Sequence, residues 1–217
     1  MPASPTSVAA LRSLLAARFP EKVRRVSGVV PTGVAQIDDA LGGGLPAGRL
    51  TELVSAAPGT VGQTVIAQLL ATTRAARQRI ALIDGADGFV ASEVPPDALR
   101  HLVWVRAHDP AKAFAAADIL ARDGNYAVVL FDLRGLSERA LLKMPSALWH
   151  RLRHAAEDSP TAFLVQTTTP LVPGVPWRLV LSGAIPLASR RTPRSKLMQT
   201  LHVEIVRSRA EPEEMTA

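Results

Sequence analysis

The chain has 217 residues, enough for one domain with a core of its own. With 47% hydrophobic and 20% charged residues, no run of ~18 apolar residues and no cysteine, the composition excludes a disordered chain, a predicted membrane span, disulfides and thiol chemistry. The formal net charge of +6 is carried mostly by arginine and suits contact with nucleic acid or an acidic protein face.

Residues 1–7 are rich in Pro, Ser and Thr, and no apolar segment of secretory type is evident, so a cytoplasmic protein is expected. Val8, Leu11, Leu14 and Leu15 follow a helical spacing over 8–18, with Ser7 as cap and Pro20 as terminator. A basic stretch (22–25) leads into apolar residues 26–30. Residues 31–48 are glycine-rich, with a short helix expected around 34–41. Strands are predicted over 50–55, 80–84, 102–106, 127–133 and 161–166. Helices are predicted over 63–78, 111–122 and 137–156, the last interrupted at Pro145 with Ser146 placed to cap its second half. Such alternation argues for βαβ units and a mainly parallel sheet. A final group of strands is expected over 177–182, 185–189 and 199–206, with Val203 and Ile205 inward and His202 and Glu204 solvated. The expected organisation is an N-terminal helix and linker (1–30), a core domain (31–207) and a loose acidic tail (208–217).

A phosphate-binding loop follows the pattern G-x-x-x-x-G-K-[ST]: glycines expose backbone N–H groups, lysine neutralises phosphate charge, and the hydroxyl holds Mg²⁺. Here a strand enters Ala57-Pro58-Gly59-Thr60-Val61-Gly62-Gln63-Thr64 and a helix follows. Gly62 and Thr64 fit the pattern. Ala57 replaces the first glycine and Gln63 the lysine. These eight residues alone read equally as a tight strand-to-helix turn.

The preceding segment is more specific. Pro31-Thr32-Gly33, Ile37-Asp38, Ala40-Leu41-Gly42-Gly43-Gly44-Leu45-Pro46-Ala47-Gly48-Arg49 and then Glu52 resemble the RecA family, in which a run of this order leads into the phosphate loop. The resemblance implies an α/β fold with a RecA-like core: a mainly parallel twisted sheet flanked by helices, here with an N-terminal helix and C-terminal antiparallel strands. It also implies vestigial nucleotide contacts at Gly59, Gly62, Gln63, Thr64 and Asp132, the last ordering the Mg²⁺ shell in working members. Gln166 matches the strand-end glutamine that senses the γ-phosphate. The catalytic glutamate falls on Ala86, whose methyl group cannot orient water. Asp87 is displaced by one residue.

Loss of the lysine removes a charged hydrogen bond to phosphate, about 1.5–3 kcal/mol, or roughly 10- to 150-fold in affinity. The expectation is therefore no enzyme, no catalytic residue, no bound metal and no resident cofactor, with weak ATP and Mg²⁺ binding left open. The loop after the glutamine strand, residues 167–176, has three prolines and no basic residue, unlike a nucleic-acid loop. A basic cluster of Arg190, Arg191, Arg194 and Lys196 is a candidate contact for DNA or an acidic partner. Trp149 and Arg153, at i and i+4, read as core or as a cation–π pair.

A short RecA-like chain with a reduced loop is similar to the ImuA family, accessory proteins encoded with ImuB and an error-prone C-family polymerase. That resemblance implies a role in damage-induced translesion synthesis (SOS mutagenesis), with ImuB and RecA as partners. Two alternatives stay open: a diverged ATPase completed at a subunit interface, and a SulA-like cell-division inhibitor. Retention of Gly59, Gly62, Thr64 and Asp132 speaks against the second.

Overall fold

The structure, a computed structural model, describes residues 28–55, 61–85, 87–182, 196, 198 and 201–206. The expected helix over 8–18, the strand over 185–189 and the tail lie outside the described residues. In chain order the elements are β1 (Val29–Val30), α1 (Ala35–Ala40), β2 (Leu45–Pro46), β3 (Leu50–Ser55), α2 (Val61–Ala75), β4 (Ile80–Asp84), a 3-10 turn (Ala91–Glu93), α3 (Pro96–Leu99), β5 (Leu102–Arg106), α4 (Pro110–Asp123), β6 (Val128–Asp132), α5 (Glu138–Leu142), α6 (Ser146–Glu157), β7 (Ala162–Thr167), β8 (Trp177–Ser182) and β9 (His202–Val206).

Seven strands form one sheet in the order β5-β4-β6-β7-β3-β8-β9. Every neighbouring pair is parallel except β8 with β9. The fold is thus α/β with a mostly parallel sheet flanked by helices. β3, β4, β6 and β7 are buried along their whole length. Helices cover both faces, so these strands are nearly continuous apolar runs rather than alternating ones. β9 is one edge, and it alternates as predicted: His202 and Glu204 are exposed, Val203 and Ile205 half-buried.

Residues of α1 and α2 (Ile37, Val65, Ile66, Leu69, Leu70) pack with Leu53, Leu82, Leu130 and Leu164 in one apolar cluster. Residues of α4 and α6 (Phe114, Ala117, Leu152, Ala155) pack with Ile83, Val129, Phe131 and Phe163 in the other. Each fully buried side chain of this kind contributes about 1.5–3 kcal/mol. Aromatics are few in the chain, yet four of them gather here. Phe114 meets Phe131 and Trp149 edge to face at 5.3 and 4.7 Å, and Phe131 meets Phe163 at 6.3 Å. Trp149 is therefore core. Arg153 turns away to donate to the Pro173 carbonyl at 2.6 Å.

The glycine-rich motif before β3 is a structural knot. The Asp38 carboxylate accepts from the Thr32 N–H, the Thr32 hydroxyl and the Gly33 N–H at 2.8, 2.7 and 3.0 Å. β1 pairs antiparallel with β2, which ties residues 29–30, expected as linker, to this knot. Gly44 has φ +142°, and a Cβ there would lie 2.4 Å from the Val30 carbonyl oxygen, so only glycine fits. Asp109 caps α4 by accepting from the Lys112 N–H at 3.0 Å. The expected Ser146 cap is corrected. Pro145 holds the cap position of α6, and no side chain caps it; the proline that interrupts the helix already supplies the extended backbone from which the next turn starts.

Glu52 is 0% exposed in the middle of the sheet. One of its oxygens accepts from the Thr167 hydroxyl and from the Leu171 and Val172 N–H groups, at 3.2, 2.6 and 3.0 Å. The other pairs with Arg178 at 2.6 Å, and Arg178 in turn donates to the Val172 carbonyl. This network folds the post-β7 loop onto the sheet and locks β8 beside β3. No helix among the described residues is long and apolar enough to cross a membrane.

Two predictions arise. Glu52→Ala strands the Arg178 guanidinium and should cost about 3–5 kcal/mol in chemical denaturation; Glu52→Gln, which keeps an acceptor for the loop N–H groups, should cost less. His101 packs at the end of α2, its Nε2 2.8 Å from the Thr73 hydroxyl. Burial and then the nearby Arg74 hold its pKa below the ordinary 6.5. The unfolded chain therefore takes up the proton first, so this stabilisation is complete above about pH 6.5 and is lost as pH falls further. The wild-type loss of Tm between about pH 7.5 and 5.5 should be smaller in His101→Gln.

Candidate functional site

Parallel register brings the sequence-predicted residues together. Asp84 of β4 pairs with Asp132 of β6, Asp132 with Gln166 of β7, and Gln166 with Leu53 of β3. Three polar side chains thus stand in one row at the carboxyl ends of neighbouring strands, where open α/β sheets place ligands. The same end of β3 leads toward α2, whose first turn carries Gly62, Gln63 and Thr64. Thr64 is buried on that turn. Gly59 and Ala86 lie outside the described residues.

The row is closed by internal partners. Asp132 is 4% exposed, and both its oxygens are engaged by Arg134. Oδ1 accepts from the Arg134 N–H and Nε at 3.1 and 2.8 Å, and Oδ2 from Nη2 at 2.6 Å. The Arg134 guanidinium lies against the start of α2: a Cβ added to Gly62 would fall 1.5 Å from Nη1. Gly62 leaves open the space that the end of this arginine side chain occupies. A cation at a helix N-terminus opposes the helix dipole by about 0.3–1 kcal/mol. The adjacent Asp132 carboxylate offsets this.

Gln63, at the lysine position, donates through Nε2 to the Gly88 carbonyl. It ties α2 to the turn after β4. Asp84 shapes that turn, accepting from the Gly88 and Phe89 N–H groups at 2.9 and 3.0 Å and from the Trp104 indole at 3.3 Å. Asp87 points to the end of β5, pairing with Arg106 at 2.7 Å and His108 at 3.3 Å. Gln166 donates to the Gly62 carbonyl at 3.5 Å, and its buried Oε1 has no partner among the described residues.

The resemblance to nucleotide-binding proteins implies Mg²⁺ between Thr64 and Asp132. The residues present do not fit it. Mg²⁺ demands near-octahedral oxygen ligands, and both Asp132 oxygens are held by a guanidinium. No reaction step is routed through a metal here.

The loop over 168–176 is likewise accounted for, with Val172 and Val175 buried and its backbone held by Glu52, Arg178 and Arg153. Of the basic cluster, Lys196 is exposed, while Arg190, Arg191 and Arg194 lie outside the described residues. Arg134 escaped the sequence reading. The only signal was an arginine two residues after a strand-end aspartate, a spacing that lets the side chain fold back on the carboxylate. No protein-family model matches the chain, and no curated protein matches it in sequence.

A double-mutant cycle tests the closure. Asp132→Asn and Arg134→Met should each destabilise the fold, Arg134→Met by about 3–5 kcal/mol because it strands a buried carboxylate. The double variant should recover part of that loss, with a coupling energy of about 1–3 kcal/mol in urea denaturation.

Proposed function

We propose that this chain is a non-catalytic RecA-like interaction protein of the ImuA type. In this reading it works in the cytoplasm in damage-induced translesion synthesis, with ImuB and RecA as partners and an error-prone polymerase downstream. The observation that carries the non-catalytic part is the Asp132–Arg134 pair seated on Gly62. It takes the aspartate away from a metal and sets an arginine side chain against Gly62. Gln63 spends its amide on Gly88 rather than facing a phosphate. The pinned 168–176 loop supports the same reading, since a nucleic-acid loop has to reorganise along a strand.

The RecA-like part rests on the motif from Pro31 to Glu52. It is supported by the convergence of Asp132, Gln166 and the loop strand at one end of the sheet. A protein of this kind keeps the shape of a filament-forming core while its surface serves recognition.

The test uses the full chain. Immobilised ImuB and RecA should each capture it with and without ATP and Mg²⁺. Hydrolysis should stay at background, and Thr64→Ala should change neither result. Robust turnover abolished by Thr64→Ala, or failure to bind either partner, would overturn the proposal.

A further inference from the structure

The opposite end of the sheet has the reverse character. An open cavity of about 780 Å³ lies under the amino ends of β4 and β5, and its walls include Arg74, Arg77, Arg79, Arg100, Asp97 and Tyr126. α2 separates it from Gly62 by the length of a 15-residue helix, about 22 Å at 1.5 Å per residue. Four arginines against one carboxylate give the walls a net charge of +3. Asp97 is shared: it pairs bidentately with Arg74 at 2.8 and 2.9 Å and sits 3.8 Å from Arg100. Arg77 and Arg79 are exposed and have no ion pair among the described residues. The C-terminal dipole of α2 favours a cation here, but Arg74, in its last turn, already supplies one.

Arg77 is placed at a cost. α2 ends in a Schellman turn, with the Gln78 N–H donating to the Thr73 carbonyl at 2.9 Å and the Arg77 N–H to the Arg74 carbonyl at 3.0 Å. Arg77 occupies the left-handed position, at φ +56°, where glycine or asparagine is the favoured residue. Backbone strain at an exposed charged side chain points to a function for that side chain.

We propose that this basin binds the phosphodiester backbone of a nucleic acid, at a site separate from the closed loop. The charge is carried by arginine alone, whose planar fork matches two phosphate oxygens. The groups are strung across three adjacent strands rather than gathered at a point: Arg100 precedes β5, Arg77 and Arg79 precede β4, and Tyr126 precedes β6. Two inter-strand spacings make about 10 Å, room for more than one phosphate. Tyr126 is half-buried and packs against the apolar cluster of α4 and α6, so it forms a wall of the basin beside the arginines. The overall charge of +6 steers the same polyanion.

The experiment is fluorescence anisotropy of a labelled oligothymidylate of about 20 nucleotides, titrated with the full chain between about 50 and 200 mM salt. The Arg77→Gly/Arg79→Gln variant should bind about 10- to 100-fold more weakly, with a log–log salt slope shallower by about 1–2. Arg77→Gly relieves the strained turn, so its Tm should equal or exceed the wild type's while its affinity falls, which separates binding from folding. Capture by ImuB and RecA should be unchanged, so the two proposals fail independently. The inference is overturned if the wild type leaves the oligonucleotide free, or if the double variant binds as well as the wild type. It is also overturned if Arg190→Gln/Arg191→Gln abolishes binding that the basin variant retains, or if poly-glutamate binds the basin as tightly as DNA.

Discussion

A carboxylate with no exposure to water sits in the middle of this sheet. An isolated buried charge costs several kcal/mol, so Glu52 has to collect partners, and the chain around it is arranged to supply them. Thr167 comes from the neighbouring strand, Leu171 and Val172 from the loop that follows, and Arg178 from the strand on the other side. One residue thereby fixes the path of the post-β7 loop and the position of β8, and β8 carries the antiparallel edge strand. The right-hand half of the sheet depends on this one neutralisation.

The left-hand half follows a different logic. There the register of β4, β6 and β7 lines up Asp84, Asp132 and Gln166 at the carboxyl ends. Each of the two aspartates is satisfied within the protein, Asp84 by a backbone turn and Asp132 by Arg134. A place that parallel sheets commonly offer to a ligand is here filled by side chains. At the amino ends the balance is reversed, with two arginines unpaired among the described residues, one of them in the left-handed turn, and two more sharing a single aspartate. The two ends of one sheet are thus chemically distinct, one internally neutralised and the other cationic.

Much of the fold was legible because its signals are local. Parallel strands are apolar runs of about five residues bounded by turns, and β3, β4, β5 and β8 fall where those runs fall. The Ser146 cap failed as a reading because proline at 145 provides the helix start by backbone conformation alone. Asp132, Gln166 and the loop residues were legible as a group, since each ends a strand or opens a helix. Arg134, Arg77 and Arg79 were not singled out. An arginine in a loop looks the same whether it folds back on a carboxylate, strains a turn or lies in solvent.

What the sequence by itself determined is the order of elements, the glycine-rich entry to β3, and glutamine rather than lysine after Gly62. These depend on residue type and spacing along the chain. The tertiary structure alone decided that the Arg134 guanidinium takes both oxygens of Asp132 and lies against Gly62. It also decided that Arg77, Arg79 and Arg100 share one basin. Both outcomes bring together charges from separate segments, and the energy of a charge is set by what surrounds it in space, not by its neighbours in sequence.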